Sequence, residues 1–210
     1  MRWVFLGPPG AGKGTQAKKI TAACRIPHIS TGDLLRAEVA AKTEFGIQVK
    51  EYMDRGSLVP DDLVIGMLVN RIDGEEHYLL DGFPRTLVQA EALDERTGGG
   101  AVDRVFQFDV DDEVIVQRLS GRRTCSKCGS MFHVDFMPPK TEGVCDACGG
   151  SLFRRDDDEP DTIRHRSEIA KRESGPLLAY YEERGLLTRI DASRKPEEVY
   201  EHVRSFLEDR

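Results

Sequence analysis

Short apolar runs alternate along this chain with longer stretches in which apolar residues recur every three or four positions. The runs at 2–6, 104–109 and 186–191, joined by 78–82 and the brief 28–30, predict strands. Helical spacing fills 13–23, 31–40, 44–55, 61–73, 86–96, 111–120, 161–174, 176–184 and 196–208. This alternation predicts an α/β fold of three layers, with a central parallel sheet of about five strands between helices. Helix-start signals agree with those limits. Thr31 followed by Asp33 offers a cap, Pro60-Asp61-Asp62 opens another helix, and Asp111-Asp112 sets acid at a third positive end. Gly98-Gly99-Gly100 reads as a surface loop. One segment breaks the rhythm. From Gly121 to Asp158 there is no helical period, but two Cys-x-x-Cys knuckles, Pro138-Pro139 and many turn formers. It begins after one helix and ends before the next, so it reads as an insertion.

Composition narrows the class. The 210 residues suit a core carrying one small inserted module, and 39% hydrophobic residues can fill that core. A net charge of −7 argues against general affinity for nucleic acid or an acidic membrane surface. No apolar run approaches a membrane span, and the opening run Trp3 to Leu6 is too short for a signal sequence. The expected location is cytoplasmic.

The glycines after the first strand carry a specific signal. Gly7-Pro8-Pro9-Gly10-Ala11-Gly12-Lys13-Gly14-Thr15 matches the phosphate-loop spacing, with a strand before it and a helix after. Glycines let successive backbone N–H groups turn toward an anion, and the helix N-terminus adds its dipole. Lys13 can set its ammonium on outer phosphates, with the Thr15 hydroxyl nearby. Gly14 stands where Ser or Thr normally follows the lysine.

The cysteines ask for a different chemistry. Cys125-x-x-Cys128 and Cys145-x-x-Cys148, sixteen residues apart, carry the spacing of a zinc site, and a reducing compartment favours metal over disulfides. Four thiolates close a tetrahedron, so no position remains for water or substrate, and Zn²⁺ with four thiolates is formally −2. The metal reads as scaffolding. His133 and Asp135 are within sequence reach as alternative ligands but read as ordinary residues of the segment, and Cys24 reads as packing. The spacing alone fits a nucleic-acid-binding zinc ribbon joined to an ATPase equally well. The sparse basic cover of Lys127, His133 and Lys140 argues against it.

Lys13, Arg36, Arg85, Arg118, Arg122, Arg155 and Arg166 lie in separate motif segments of a net-acidic chain. Phosphoryl transfer needs positioning and fixed positive charge more than covalent help, and arginine forks suit phosphate. No Ser-His-Asp or Cys-His pattern presents a nucleophile.

"GPPGAGKGTQA", "PHISTGDLLR", "GSLVPDDLV", "LLDGFPRT", "RLSGRR" and "RRDDDEPDTIRHR" follow one another in an order that resembles adenylate kinase in its long-lid, metal-binding form. The resemblance implies reversible Mg²⁺-dependent transfer from ATP to AMP giving two ADP, in a phosphate-loop fold. It implies a core of 1–29, 60–120 and 159–210, an AMP-binding cover at 30–59 and a zinc-binding lid at 121–158. On the ATP side it implies Gly10, Ala11, Gly12, Lys13, Gly14 and Thr15 at the phosphates and Arg118 against the adenine. Arg122 and backbone at Met131, Phe132 and Lys195 join them. On the AMP side it implies Thr31, Arg36, Arg85 and Gln89, with Ser57, Leu58, Val59, Gly82, Phe83 and Pro84. Arg155 and Arg166 would clamp the phosphates between. Lys13, Arg85, Arg122, Arg155 and Arg166 form the implied catalytic set, and Asp81 would steady Mg²⁺ through water. The implied cofactors are Mg²⁺ with ATP and one structural Zn²⁺ on Cys125, Cys128, Cys145 and Cys148. The partners are ATP, AMP and ADP, without nucleic acid or membrane, and the state a monomer. A kinase for UMP, CMP or GMP is the nearest alternative; the long lid and "ISTGDLLR" with Gln89 favour adenine by resemblance. Departures stand at Ser167 and Ala170, where relatives carry larger residues, and at Arg25, where a glycine is usual.

Overall fold

Both faces of the expected sheet are covered, which is why its central strands carry continuous apolar runs at Trp3 to Leu6 and Tyr78 to Leu80. The computed structural model describes residues 1–207. Strands β1 (Arg2–Leu6), β2 (His28–Ser30), β3 (Tyr78–Asp81), β4 (Arg104–Asp109) and β8 (Leu187–Asp191) form one parallel sheet in the order β2-β3-β1-β4-β8. Alternate residues divide between two cores. Val4, Leu6, Leu80 and Val105 face helices α3 (Glu44–Asp54), α4 (Asp61–Ile72) and α5 (Leu87–Arg96), with the end of α7 (Pro160–Glu183). Trp3, Phe5, Leu79 and Phe106 face α1 (Lys13–Cys24) and α8 (Pro196–Ser205). Cys24 packs against this second core, as expected. Helices α2 (Thr31–Ala41) and α6 (Asp112–Ser120) complete the set.

Residues 121–158 hold a second, antiparallel sheet that periodicity did not predict. Its strands β5 (Arg122–Cys125), β6 (Met131–His133) and β7 (Leu152–Phe153) pair in the order β6-β5-β7. They are too short for an alternation to show in sequence. No helix among the described residues is long and apolar enough to cross a membrane.

Three local expectations are corrected. The helices expected at 161–174 and 176–184 are one helix, α7, with Pro176 inside it. Proline removes a donor and crowds the preceding turn. Here buried Leu177 and Tyr181 continue the stripe begun by Ile163 and Ile169, and packing outweighs the break. At α2 the cap is Ser30, whose side chain accepts from Asp33 N–H at 3.3 Å. Thr31 is the first helical residue, and its hydroxyl donates to the Gly82 carbonyl at 2.8 Å. The helix expected over 196–208 ends at Ser205, and residues 208–210 of the expected core lie outside the described residues. Arg25 occupies a left-handed position, φ 56°, closing α1. A glycine suits that conformation best, so the departure there changes a turn.

Helices α2 and α3 approach each other through Gly46, where an added Cβ would lie 2.1 Å from the Glu38 carbonyl oxygen. That contact is with backbone and cannot yield without separating the helices. Gly66, inside α4, has open space instead. Gly46→Ala is expected to cost about 2 kcal/mol, and Gly66→Ala to gain roughly 0.5–1 kcal/mol from helix propensity. Urea unfolding of the two variants beside the parent checks both signs.

Candidate functional site

The loop between β1 and α1 lies at the carboxyl edge of the sheet, where parallel α/β folds place their ligands. Gly7 adopts φ 135°, and a Cβ there would sit 2.6 Å from the Phe108 carbonyl oxygen, so the loop passes close under β4 only as glycine. Gly12 caps α1 in a left-handed conformation, φ 93°. Lys13 curls back to donate to the Gly7 and Pro8 carbonyls at 2.7 and 2.8 Å. Gly14 explains its own departure. A Cβ at that position would lie 3.1 Å from Asp81 Oδ2, so the missing side chain lets the β3 carboxylate approach the loop closely. Asp81 also meets His28 Nε2 at 3.3 Å.

Cations converge on this edge. Desolvation in the recess pushes the Lys13 ammonium down to about 8; Asp81 opposes the shift, and Arg85, Arg166 and Arg122 reinforce it. Arg85 is lowered to about 10 by desolvation and by Arg166. Arg155 is lowered to about 10 by desolvation, Arg36 and Arg122. Each arginine has an internal partner. Arg122 forks onto Asp158, with Nε–Oδ2 2.8 Å and NH2–Oδ1 2.5 Å, and the Asp158 side chain is fully enclosed. Arg166 pairs with the Asp157 carboxylate at 2.7 Å and its carbonyl at 2.9 Å. Desolvation works to raise the Asp157 carboxyl, yet Arg166, Arg122 and Arg36 hold it below the ordinary carboxylate range. Arg85 Nε donates to the Gly82 carbonyl at 2.8 Å, Arg36 pairs with Asp33 at 2.6 Å, and Arg155 Nε donates to Thr124 Oγ1 at 3.0 Å.

Beside these groups opens a cleft of about 580 Å³. Thr31, Arg36, Ser57, Leu58, Val59, Gly82, Arg85, Gln89 and Arg166 all line it, with Leu35, Met53 and Val64 adding an apolar wall. Phe83 and Pro84 do not: both are buried, the Phe83 ring packing in the core, and the peptide between them is cis. Arg155 does not line the cleft; it bonds Thr124 on the small sheet, within electrostatic reach of Arg36. On the other side, Met131 on β6 reaches over the phosphate loop, within 3.5 Å of a Cβ built at Gly14, and Phe132 follows it. Lys195 caps α8 and is exposed; its loop is tied to α1 by Gln16 Nε2 donating to the Pro196 carbonyl at 2.8 Å. Arg118 is half-buried on α6, lowered by desolvation alone, and is not joined to the charge cluster.

The four expected metal ligands converge. Their sulfurs all lie within 4.8 Å of one another, with Cys125–Cys148 at 3.5 Å and Cys128–Cys145 at 3.6 Å. A tetrahedron with Zn–S near 2.3 Å has edges of about 3.8 Å, so the set fits a zinc ion. Gly150 is needed beside it, because a Cβ would sit 2.9 Å from Cys125 Sγ. His133 is turned elsewhere. Its Nδ1 accepts from Asp135 and Phe136 N–H at 3.0 and 3.1 Å, and its Nε2 meets the Gln117 carbonyl at 3.2 Å, docking the small sheet on α6. Lys18 Nζ makes a second tie, donating to the Gly129 carbonyl at 2.7 Å.

Sequence reasoning missed the acidic partners Asp157 and Asp158 as partners, and it missed Asp61 and Thr86. Thr86-x-x-Gln89 is a capping-box pattern that would have tied Gln89 to a helix start.

The family profile described as "Adenylate kinase" matches residues 5–186. The chain is 48% identical over 213 aligned residues to the adenylate kinase of Carboxydothermus hydrogenoformans, covering 99% of this chain and all of that protein. It is 47% identical to the adenylate kinase of Archaeoglobus fulgidus and 48% identical to that of Geobacter sulfurreducens. Both alignments cover 99% of this chain and 98% of the relative.

Because desolvation and neighbouring arginines hold Lys13 near 8, an anion that relieves that repulsion should draw a proton onto it. Sulfate, whose own charge does not change between these pH values, is expected to bind with proton uptake at about pH 8.5 and with almost none at about pH 7, where the ammonium is already charged. Calorimetry in two buffers of different ionisation heat reads the uptake, and Lys13→Met should remove most of it. Heats independent of buffer at the higher pH would contradict the depressed lysine.

Proposed function

This chain belongs to the adenylate kinase family, the ATP:AMP phosphotransferases, and we propose that it moves a phosphoryl group reversibly between Mg²⁺-bound ATP and AMP, giving two ADP. The observation that carries this reading is the group of Lys13, Arg85, Arg122 and Arg166, within electrostatic reach of one another between the phosphate loop and the 580 Å³ cleft. A cationic bridge between two recesses suits two phosphate chains meeting end to end. It stabilises charge spread over the transferred group without supplying a base for water.

In this reading residues 10–15 cradle the ATP phosphates, with Arg118, Met131, Phe132 and Lys195 on the nucleoside side. Thr31, Arg36, Arg85 and Gln89 hold AMP, with backbone at Ser57, Leu58, Val59 and Gly82. Arg122, Arg155 and Arg166 close on the transferred group. Their partners hold the guanidiniums in place until phosphate oxygens arrive, so little reorganisation remains at the moment of transfer. Mg²⁺ would neutralise the outer phosphates, and Asp81, set against Gly14, is the carboxylate placed to orient it through water. Segments 30–59 and 121–158 act as covers that exclude water, the competing acceptor; lid closure of this kind is already familiar in adenylate kinases. Because both covers must swing, we read the protein as a monomer.

A zinc ion on Cys125, Cys128, Cys145 and Cys148 would be structural, since four thiolates leave no open coordination position. Its part is to hold the loop carrying β6 and β7 against β5, and with it Arg122 and Thr124.

A coupled assay offering ATP with each monophosphate in turn should give ADP only when a monophosphate is present, fastest with AMP, and only with Mg²⁺. ADP released from ATP at the same speed without any acceptor would make the protein an ATPase instead.

Elemental analysis should find one zinc per chain. The Cys145→Ala, Cys148→Ala double variant should lose it, keep its helical circular dichroism at room temperature, melt earlier and turn over slowly. Activity falling to zero while the small sheet demonstrably stayed ordered would make the metal catalytic.

A further inference from the structure

Gln89 is the one side-chain amide among the described residues lining the cleft. It is 2% exposed, and both halves of its amide already have partners. Its Oε1 accepts the Arg85 backbone N–H at 2.8 Å, and its Nε2 donates to Asp61 Oδ1 at 2.6 Å. A peptide N–H cannot accept, and an ionised carboxylate cannot donate. The two contacts therefore favour the same orientation, and each adds its own cost to the flipped amide. Asp61 is itself held. Its Oδ2 accepts from the Thr86 hydroxyl at 3.0 Å, and Thr86 Oγ1 in turn accepts the Gln89 backbone N–H at 3.2 Å, capping α5. The start of α4 and the start of α5 are thus closed into one ring of hydrogen bonds around a single amide.

What the amide has left is one N–H and one carbonyl lone pair, in a fixed order. A 6-aminopurine presents a ring-nitrogen acceptor beside an amine donor. A 6-oxopurine presents a ring N–H donor beside a carbonyl acceptor, the same pair reversed. An amide free to turn over would serve both; a locked one serves only one. Turning the base over instead would move its sugar attachment, which a phosphate anchored at Arg36 and Arg85 resists. We propose that Asp61 is a specificity-determining positioning residue, which locks the Gln89 amide so that the acceptor site takes a 6-aminopurine monophosphate and rejects a 6-oxopurine one. This rests on the reading of the cleft as the site of the acceptor nucleotide. Asp61 touches no substrate and acts through Gln89, with Thr86 holding it in turn.

The test compares kcat/KM for AMP and for IMP in the full chain at saturating ATP and Mg²⁺. IMP is the sharper probe because it reverses the hydrogen-bonding edge without adding a 2-amino group. Asp61→Ala is expected to narrow the preference for AMP over IMP by about tenfold, the effect of one hydrogen bond to a charged group. The KM for ATP should stay as in the parent. Asp61→Asn, which keeps a carbonyl acceptor for the amide, should narrow the preference less and guards against a folding defect in the alanine variant. A purely structural role would lower both acceptors by the same factor and leave their ratio alone. The parental ratio in a folded Asp61→Ala protein, alongside a lost preference in Gln89→Leu, would overturn the lock while leaving Gln89 as the reader. The parental ratio in Gln89→Leu as well would mean that the base is not read at this amide, and would overturn the acceptor-site assignment on which the lock rests.

Discussion

Like charges held side by side set the terms for everything at the carboxyl edge of this sheet. Lys13, Arg85, Arg122 and Arg166 stand within electrostatic reach of one another, and Lys13 and Arg85 are depressed first by desolvation and further by the neighbouring arginines. Such a group survives folding only if acids stand among the cations. Asp81, Asp157 and Asp158 are those acids: Asp81 stands at a strand end, while Asp157 and the fully enclosed Asp158 share one short turn.

The sheet was legible because parallel strands covered on both faces carry runs of apolar residues, as Trp3 to Leu6, Tyr78 to Leu80 and Val105-Phe106 do, with polar residues mostly toward the strand ends. The phosphate loop and the four cysteines were legible because backbone turns and tetrahedral ligation each demand a fixed spacing. What escaped was decided by contacts distant in sequence. Pro176 reads as a helix break until Tyr181 is seen buried beyond it. Ser30 and Thr31 can each cap a helix, and the choice depends on Gly82, about fifty positions away, which takes the Thr31 hydroxyl. The cleft brought together nine residues expected from separate motifs, but Phe83 packs in the core instead. Asp61 looked like an ordinary acid at a helix N-terminus. Only its reach to Thr86 and Gln89 sets it apart.

The cysteines and the arginines look like unrelated features of one chain until β5 is read residue by residue. Arg122 begins that strand and forks onto Asp158; Thr124 accepts from Arg155; Cys125 ends it as a member of the four-cysteine cluster. Four residues therefore join a charge that must be aimed to a sulfur that can be fixed. The segment has little apolar surface to fix itself, since Val134, Phe136, Met137, Val144 and Phe153 are all exposed. Its strands are two to four residues long, too short to stand alone. The four-cysteine cluster at one end of β5 is suited to a tetrahedral metal that would replace the missing core with a few directional bonds, beside those of His133 to α6 and Lys18 to Gly129. A closed four-thiolate site suits this better than a larger apolar core would. It sets the strand's shape without burying surface against the phosphate loop, so the segment can order Arg122 and Arg155 while leaving the recess beneath them open to an anion.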